Sequence, residues 1–392
     1  MIYYLKTKII DKLPKLNIVI NELKLIWYIN IPSNSMRKNI NHFYSHFSLA
    51  LKSYRPVAVY KESAVEERIN FWKKTVPYIK PYYAVKSFSH DCILNTLADN
   101  NIGFDVASRG EIEKVKNYYK PTILSHPIKP EDDILHAKEN RIEYIVCDNM
   151  LELVKVKRLY PSAKIVWRIK SVEKYSLIKF NTKFGATLDE TTIALSSDYN
   201  IVGISFHVGS KCSNMVAFKE TLSLVYKNIY PLFIKYNKRF EIIDIGGGFN
   251  TENDIVTLNN EISEYVNLDE QVKFIAEPGR FFSSVSLKLY TKVLAVKEEK
   301  DCINIYINDS IYNTFSGKVF DNQEYKPHCL YNGIIKKCTI WGNTCDGNDV
   351  IVQNTLMNVP NVNDLILWDN VGAYTYDSCI DGFNGFEKPI IV

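Results

Sequence analysis

The sequence predicts an α/β protein: a (β/α)8 TIM-like barrel followed by a C-terminal antiparallel β-domain. Two observations carry this. Between residues 81 and 279, eight short apolar runs recur, most of them about 20 to 40 residues apart, separated by stretches with helical periodicity, the texture of repeated strand–helix units. After residue 290 the texture changes to short alternating strands and turns. A chain of 392 residues also exceeds the roughly 250–300 that one core usually fills, so two units are expected. The boundaries are read as residues 1–54 for an N-terminal extension, 55–286 for the barrel and 287–392 for the β-domain.

The extension's most apolar stretch, residues 16–31, is interrupted by Asn21, Glu22 and Lys24. It falls short of the roughly 18–20 apolar residues of a membrane span and reads as an amphipathic helix or strand. No small-residue cleavage pattern follows it, and Arg37 is the only arginine ahead of Arg55, which argues against a transit peptide. Met36 is an alternative start. Val57-Ala-Val-Tyr60 reads as a strand that joins the β-domain or feeds the barrel. The barrel strands are Pro81-Tyr-Tyr-Ala-Val-Lys86, Gly103-Phe-Asp-Val-Ala-Ser108, Thr122-Ile-Leu-Ser125, Tyr144-Ile-Val-Cys-Asp148, Lys164-Ile-Val-Trp-Arg-Ile169, Gly203-Ile-Ser-Phe-His-Val208, Ile242-Ile-Asp-Ile-Gly-Gly-Gly248 and Lys273-Phe-Ile-Ala-Glu-Pro-Gly279. Glu111-Ile-Glu-Lys-Val-Lys and Met150-Leu-Glu-Leu-Val-Lys-Val-Lys-Arg-Leu are helix patterns between them. The β-domain is expected to contain Ile303-Asn-Ile-Tyr-Ile, Cys338-Thr-Ile-Trp, Asp349-Val-Ile-Val, Leu365-Ile-Leu-Trp and Pro389-Ile-Ile-Val.

Charge narrows the function classes. Lys and Arg total 48 against 44 Asp and Glu, a net charge of +4, too balanced for a dedicated nucleic-acid binder. The 8 cysteines are scattered without a Cys-x-x-Cys, in a chain too long to need disulfide staples. A reducing, cytoplasmic setting follows, with no membrane and no metal site expected.

Periodicity alone does not separate a closed barrel from an open doubly wound sheet; the placement of polar residues favours the barrel. In such barrels reactive groups lie at the C-terminal strand ends. Those ends read Lys86, Asp105, His126, Asp148, Arg168, His207, Gly246 to Gly248, and Glu277 with Arg280. Lys86 follows apolar and aromatic residues that desolvate an ammonium and lower its pKa, which suits a Schiff base, although a solvated strand-end lysine is the blander alternative. Asp244-Ile-Gly-Gly-Gly-Phe249 runs a strand into three glycines whose N–H groups approach an anion closely. It has neither a triphosphate loop's ending nor a dinucleotide fingerprint's spacing. Glu277-Pro-Gly-Arg280 adds a carboxylate and a guanidinium beside that loop, suiting a cofactor with a phosphate at one end and a basic ring nitrogen at the other. His207-Val-Gly-Ser210 adds a flat ring and a hydroxyl; alone, His207 reads equally well as a core histidine.

With these residues assembled, the chain resembles the fold-type III pyridoxal-phosphate decarboxylases of basic amino acids, in particular the eukaryotic-type ornithine decarboxylase family with its alanine racemase-like barrel. The resemblance covers about residues 55 to 390. It rests on Tyr83-Ala-Val-Lys86, Gly103-Phe-Asp-Val-Ala-Ser108, Lys183-Phe-Gly-Ala186, Ser205-Phe-His-Val-Gly-Ser210, Asp244-Ile-Gly-Gly-Gly-Phe249, Glu277-Pro-Gly-Arg280, Trp341-Gly-Asn-Thr-Cys-Asp-Gly347, Gly372-Ala-Tyr374 and Phe383-Asn-Gly-Phe386, in the family's order. It implies decarboxylation of L-ornithine to putrescine and CO2, a step of polyamine biosynthesis, with pyridoxal 5'-phosphate joined to Lys86 as a Schiff base. It implies Glu277 on the pyridine nitrogen, His207 stacked on the ring, and Asp105, Glu111 and Arg168 in the charged network around it. Ser210, Gly246, Gly247, Gly248, Gly279, Arg280 and Tyr374 fall at or beside phosphate-binding positions. Cys345 and Asp346 match residues inserted across a homodimer interface with shared active sites, Cys345 acting in catalysis and Asp346 with Asp321 reading the substrate's distal amine. Phe383 closes the pocket.

The sequence departs from that family at a few places. Phe320-Asp321-Asn322 replaces the usual Tyr-Asp-His, Ser87-Phe-Ser89 stands where Cys-Asn is more common after the lysine, and His126 replaces an asparagine. Decarboxylases of lysine, arginine or diaminopimelate are therefore alternatives, and Asp321 and Asp346 would repel the distal carboxylate of the last. A non-catalytic protein resembling the antizyme inhibitors is a further one. An antizyme-like regulator, if there is one, is expected near residues 129–158.

Overall fold

Eight strands close into a parallel barrel in the spatial order Ile242–Asp244, Lys273–Ala276, Ile79–Ala84, Gly103–Val106, Thr122–Leu124, Tyr144–Cys147, Lys164–Arg168 and Ile201–Ser205, the last pairing with the first. This computed structural model describes residues 45–392 apart from 267, 269–270, 331–332 and 381. The stretch at 16–31 and Met36 lie outside the described residues. All eight expected barrel runs form strands, and the closed ring replaces the open-sheet alternative.

Side chains alternate along a strand, so residues two apart share a face. Tyr82, Ile123, Val146, Val166, Val202, Ile242 and Ile275 pack as one cluster that fills the barrel. Burying aliphatic side chains of this kind contributes roughly 1.5–3 kcal/mol each. Two residues further along the same faces, Ala84, Ser125, Arg168 and Glu277 line a cleft at the C-terminal strand ends. One inward face per strand thus supplies both the plug and the site.

Helices sheathe the barrel through one apolar stripe. In Glu62–Thr75 the buried residues are Val65, Ile69 and Trp72, and in Glu252–Val266 they are Ile255, Leu258 and Ile262, the three-to-four spacing of an inward helical face. Trp72 donates its indole N–H to Ile79 O at 3.0 Å, fastening helix to strand. The expected helices at 111 and 150 form as Arg109–Val115 and Met150–Leu159. Asn149 caps the second by accepting from Glu152 N–H.

The second sheet has eight strands. Its path runs Pro327–Cys329, Leu365–Trp368, Leu287–Glu298, Ile303–Ile307, Ile335–Trp341 and Val350–Asn358. Val57–Tyr60 joins it beside Leu287–Tyr290 and in turn pairs with Ile390–Ile391. The expected antiparallel β-domain is present and mostly antiparallel, with two parallel pairs. Ile303–Ile307 runs parallel to Ile335–Trp341, and Val57–Tyr60 parallel to Ile390–Ile391. Parallel neighbours need a long crossover, and residues 308–334 provide one; alternation of side chains says nothing about direction.

Candidate active site

The cleft at the C-terminal strand ends has a volume of about 260 Å³. Lys86, Arg168, His207, Ser210, Gly247, Gly248, Glu277, Gly279, Arg280 and Tyr374, all expected from sequence, line it. Two larger hollows, of about 400 and 680 Å³, open at the opposite strand ends. Size does not mark the site; converging charged groups on the C-terminal face do.

Lys86 follows the strand Ile79–Ala84 in the tight turn Val85–Ser87. Its Nζ donates to Asp105 Oδ2 at 3.0 Å. Asp105, on the neighbouring strand and 1% exposed, also accepts from Ser125 Oγ. The expectation of a lowered lysine pKa is corrected. Burial pulls it down, but Asp105, Glu277, Tyr374 and the hydrogen bond to Asp105 all act the other way and the net shift is upward. The apolar strand is matched by acids from its neighbours, and 46% of the lysine side chain stays open to the cleft. Glu111 works from behind, accepting the N–H of the lining residue Ala107 at 2.7 Å, and burial raises its pKa.

Glu277 ends the strand Lys273–Ala276. Burial first, then Asp105 and Asp244, push its pKa well up, against the opposing pull of Lys86 and Arg168. Its Oε1 is buried without a partner. Asp244 beside it is raised to about 6 by burial while accepting from Gly246 N–H and Ser205 Oγ. His207 accepts the Gly209 N–H on Nδ1 at 3.0 Å, which leaves the ring proton on Nε2. Burial, with Arg168 and Lys86, holds its pKa well below the usual imidazole value, so the ring is neutral at neutral pH.

The other end of the cleft is an anion cradle. Gly248 has φ +116, and a Cβ there would stand 2.9 Å from Gly209 O, so only glycine lets the backbone approach. Arg280 lies over the Tyr374 ring at 4.9 Å, and Tyr374 is fixed by its N–H to Ser87 O at 2.9 Å. Gly246 sits behind the lining, its N–H committed to Asp244.

Asp105, Glu111 and Gly246 stand behind the lining, and the four residues expected to meet the substrate's far end or close the pocket are not part of it either. Asp321 is held outside it by Arg280, at 2.6 Å from Nη2. Cys345, Asp346 and Phe383 gather elsewhere: Tyr312 donates to Asp346 and stacks on Phe383 at 3.9 Å, and Asn384 accepts the Cys345 N–H. The Tyr312 bond and Asn348 lower the Asp346 pKa. Residues to which sequence reasoning gave no role complete the walls. Phe180 meets His207 edge-on at 4.8 Å, and Phe184 lies under Arg168 at 5.1 Å. Lys183-Phe-Gly-Ala186 is the sequence signal for Phe184 in these walls; Phe180 has none.

A strand-end lysine against a carboxylate, a buried carboxyl with one oxygen unpartnered, a neutral imidazole and an anion cradle on one barrel mouth define an enzyme built around an anionic, nitrogen-containing ring. Residues 62–284 match the family described as pyridoxal-dependent decarboxylase, pyridoxal binding domain, and the chain belongs to that family. It is 31% identical to ornithine decarboxylase of Mus musculus over 359 residues, covering 82% of this chain and 76% of that one. It is 32% identical to antizyme inhibitor 2 of Xenopus laevis over 351 residues, 80% and 75% of the two. The structure superposes on the arginine decarboxylase of Paramecium bursaria Chlorella virus with a TM-score of 0.84 and 28% identity, covering 92% of this chain and 100% of that one. The cleft fits pyridoxal phosphate on its own evidence. The unpaired Glu277 oxygen meets the ring's nitrogen requirement, and the cradle at Gly248 leaves the space that a phosphate fills.

Proposed function

We propose that the chain decarboxylates L-ornithine to putrescine and CO2, with pyridoxal phosphate anchored on Lys86. The observation supporting this is the Lys86–Asp105 pair opening into the same cleft as the unpaired Glu277 oxygen, in a chain of this family. Ser210, Gly247, Gly248, Gly279, Arg280 and Tyr374 would hold the phosphate, and Glu277 would pair with the ring nitrogen. When bound, the cofactor accepts the electron pair left behind as CO2 departs. Asp105, 3.0 Å from Lys86 Nζ, would hold and return a proton of the lysine. Burial weakens the acidity of Glu277, and a cation opposite it would favour its charged form. Neutral His207 adds no charge of its own where the ring packs. Phe180 and Phe184 keep water from the substrate carboxylate, and poor solvation favours its loss.

In this reading residues 55–286 form the cofactor barrel, and residues 287–392 present Cys345, Asp346 and Phe383 to the cleft of a second copy in a homodimer. Asp321 and Asp346 read the distal ammonium, because a poorly solvated ammonium needs a carboxylate. The test is CO2 release by the purified, cofactor-loaded protein given ornithine, lysine, arginine and diaminopimelate in parallel. Ornithine turned over above the rest supports the proposal. Preference for lysine or arginine instead supports the second reading, which is favoured by Asp321 being held by Arg280 and by Asn322 replacing histidine. A cofactor band at the lysine-bound wavelength without turnover rejects all four substrates. Failure to bind cofactor would favour a non-catalytic binding protein.

A further inference from the structure

Lys211 directly follows Ser210 of the cleft and has φ +53, a left-handed conformation that a long side chain seldom adopts. Its ammonium makes the contacts that repay this conformation. Nζ donates to the carbonyls of Asp321 at 2.6 Å and Asn322 at 2.8 Å, and lies 3.9 Å from the Asp321 carboxylate. Asn322 is itself left-handed, φ +48. The same carboxylate oxygen, Oδ2, is held by Arg280 at 2.6 Å. Asp321 closes the short helix Gly317–Phe320, and its N–H bonds back to Gly317 O at 3.0 Å. The turn is therefore tied down from within and from the barrel, by Arg280 on the Asp321 side chain and by Lys211 on the backbone carbonyls.

We propose that Lys211 determines substrate length as a positioning residue. By gripping both carbonyls it sets how far the Asp321 carboxylate stands from the cleft, and hence the distance at which a distal ammonium is met. Its positive charge beside that carboxylate also weakens the pull on an ammonium that arrives at the wrong reach. This rests on reading the cleft as a basic-amino-acid decarboxylase site. One methylene is worth roughly tenfold or more in a well-fitted pocket, so freeing the turn erodes most of that discrimination.

The test uses cofactor-loaded wild type, Lys211→Met, Lys211→Arg and Lys211→Gly. Two ratios are measured: kcat/KM for ornithine over lysine, and affinity for putrescine over cadaverine by calorimetry, which needs no turnover. In Lys211→Met both ratios are expected to move about fivefold or more toward the longer compound, while Lys211→Arg stays within about twofold of wild type. Lys211→Gly accepts the left-handed backbone, so it carries the test if the methionine variant does not fold. Ratios unchanged in the folded variants, or a wild type that binds neither diamine, overturn the proposal. If wild type turns over none of the amino acids but the diamine ratio shifts, the assigned reaction fails and the role of Lys211 stands.

Discussion

Glu277 leaves one carboxyl oxygen buried and unpaired, an arrangement that costs stability until something completes it. Glu277→Gln is expected to keep the fold and to lower CO2 release by about 10²–10³-fold, a usual loss when one preorganised electrostatic partner is removed. Wild-type turnover in that variant would take Glu277 out of the chemistry. Lys86→Ala should abolish the lysine-bound cofactor band in absorbance together with activity. Lys86 and Glu277 are readable from sequence because they belong to a row of polar residues ending successive apolar runs, although either one alone has a blander reading as a strand-end charge. The sign of the Lys86 pKa shift is not readable, since it depends on Asp105 of the next strand lying 3.0 Å away. Phe180 is equally hidden: an aromatic in a loop has no periodic signature, and only the fold brings it to His207.

Backbone geometry makes the cradle and the outer turn sensitive to small changes. Gly248→Ala forces a side chain into a φ of +116 and onto Gly209 O, so a loss of roughly 1–3 kcal/mol is expected, with cofactor affinity falling alongside. Cofactor titration beside thermal unfolding checks both. Asp349, 1% exposed, is a second control point. Its carboxylate accepts the Ile311 N–H at 3.0 Å and both the N–H and the hydroxyl of Thr344, at 3.1 and 2.6 Å, and so clamps the turn that bears Cys345 and Asp346. Asp349→Ala is expected to loosen that turn, seen as faster amide exchange at residues 343–348, with the barrel strands unchanged. The barrel strands were visible because buried parallel strands are continuous apolar runs. The sheet directions were not, because residues 308–334 intervene between two strands that alternation alone could align either way.

Two expectations concern the complete protein. Cys345 and Lys86 do not share a cleft within one chain, so mixing Lys86→Ala with Cys345→Ala is expected to restore about a quarter of activity through hybrid dimers with one intact site. Absence of recovery, with mixed dimers demonstrated by mass, would reject the shared site. The second concerns pH. Burial, aided by Asp349, raises the Asp309 pKa to about 7 against the bonds from Thr314 and Ser310. The folded state then holds a proton that the unfolded chain releases, so this contribution is complete below about pH 4 and is lost as pH rises through 7. Asp309→Asn keeps the acceptor for Ser310 and Thr314 without the ionisation. It should flatten the fall in melting temperature between pH 5 and 8, by roughly 2–4 °C if about 1 kcal/mol is involved. An identical slope in the variant would assign the loss to other groups.

The strand Val57–Tyr60 has Leu287–Tyr290 on one side and Ile390–Ile391 on the other, with the Tyr60 N–H closing onto Val392 O. As the chain leaves the ribosome, every barrel strand has emerged once residue 276 is out, yet this early strand waits for neighbours made later still. Its second edge stays bare until residues 390–392 appear. Nascent chains halted between those points carry a finished barrel with an open strand edge beside it, the kind of surface that invites pairing with another chain. The interval between the last barrel strand and the arrival of residues 390–392 is thus a window in which the growing chain can stick to a neighbour.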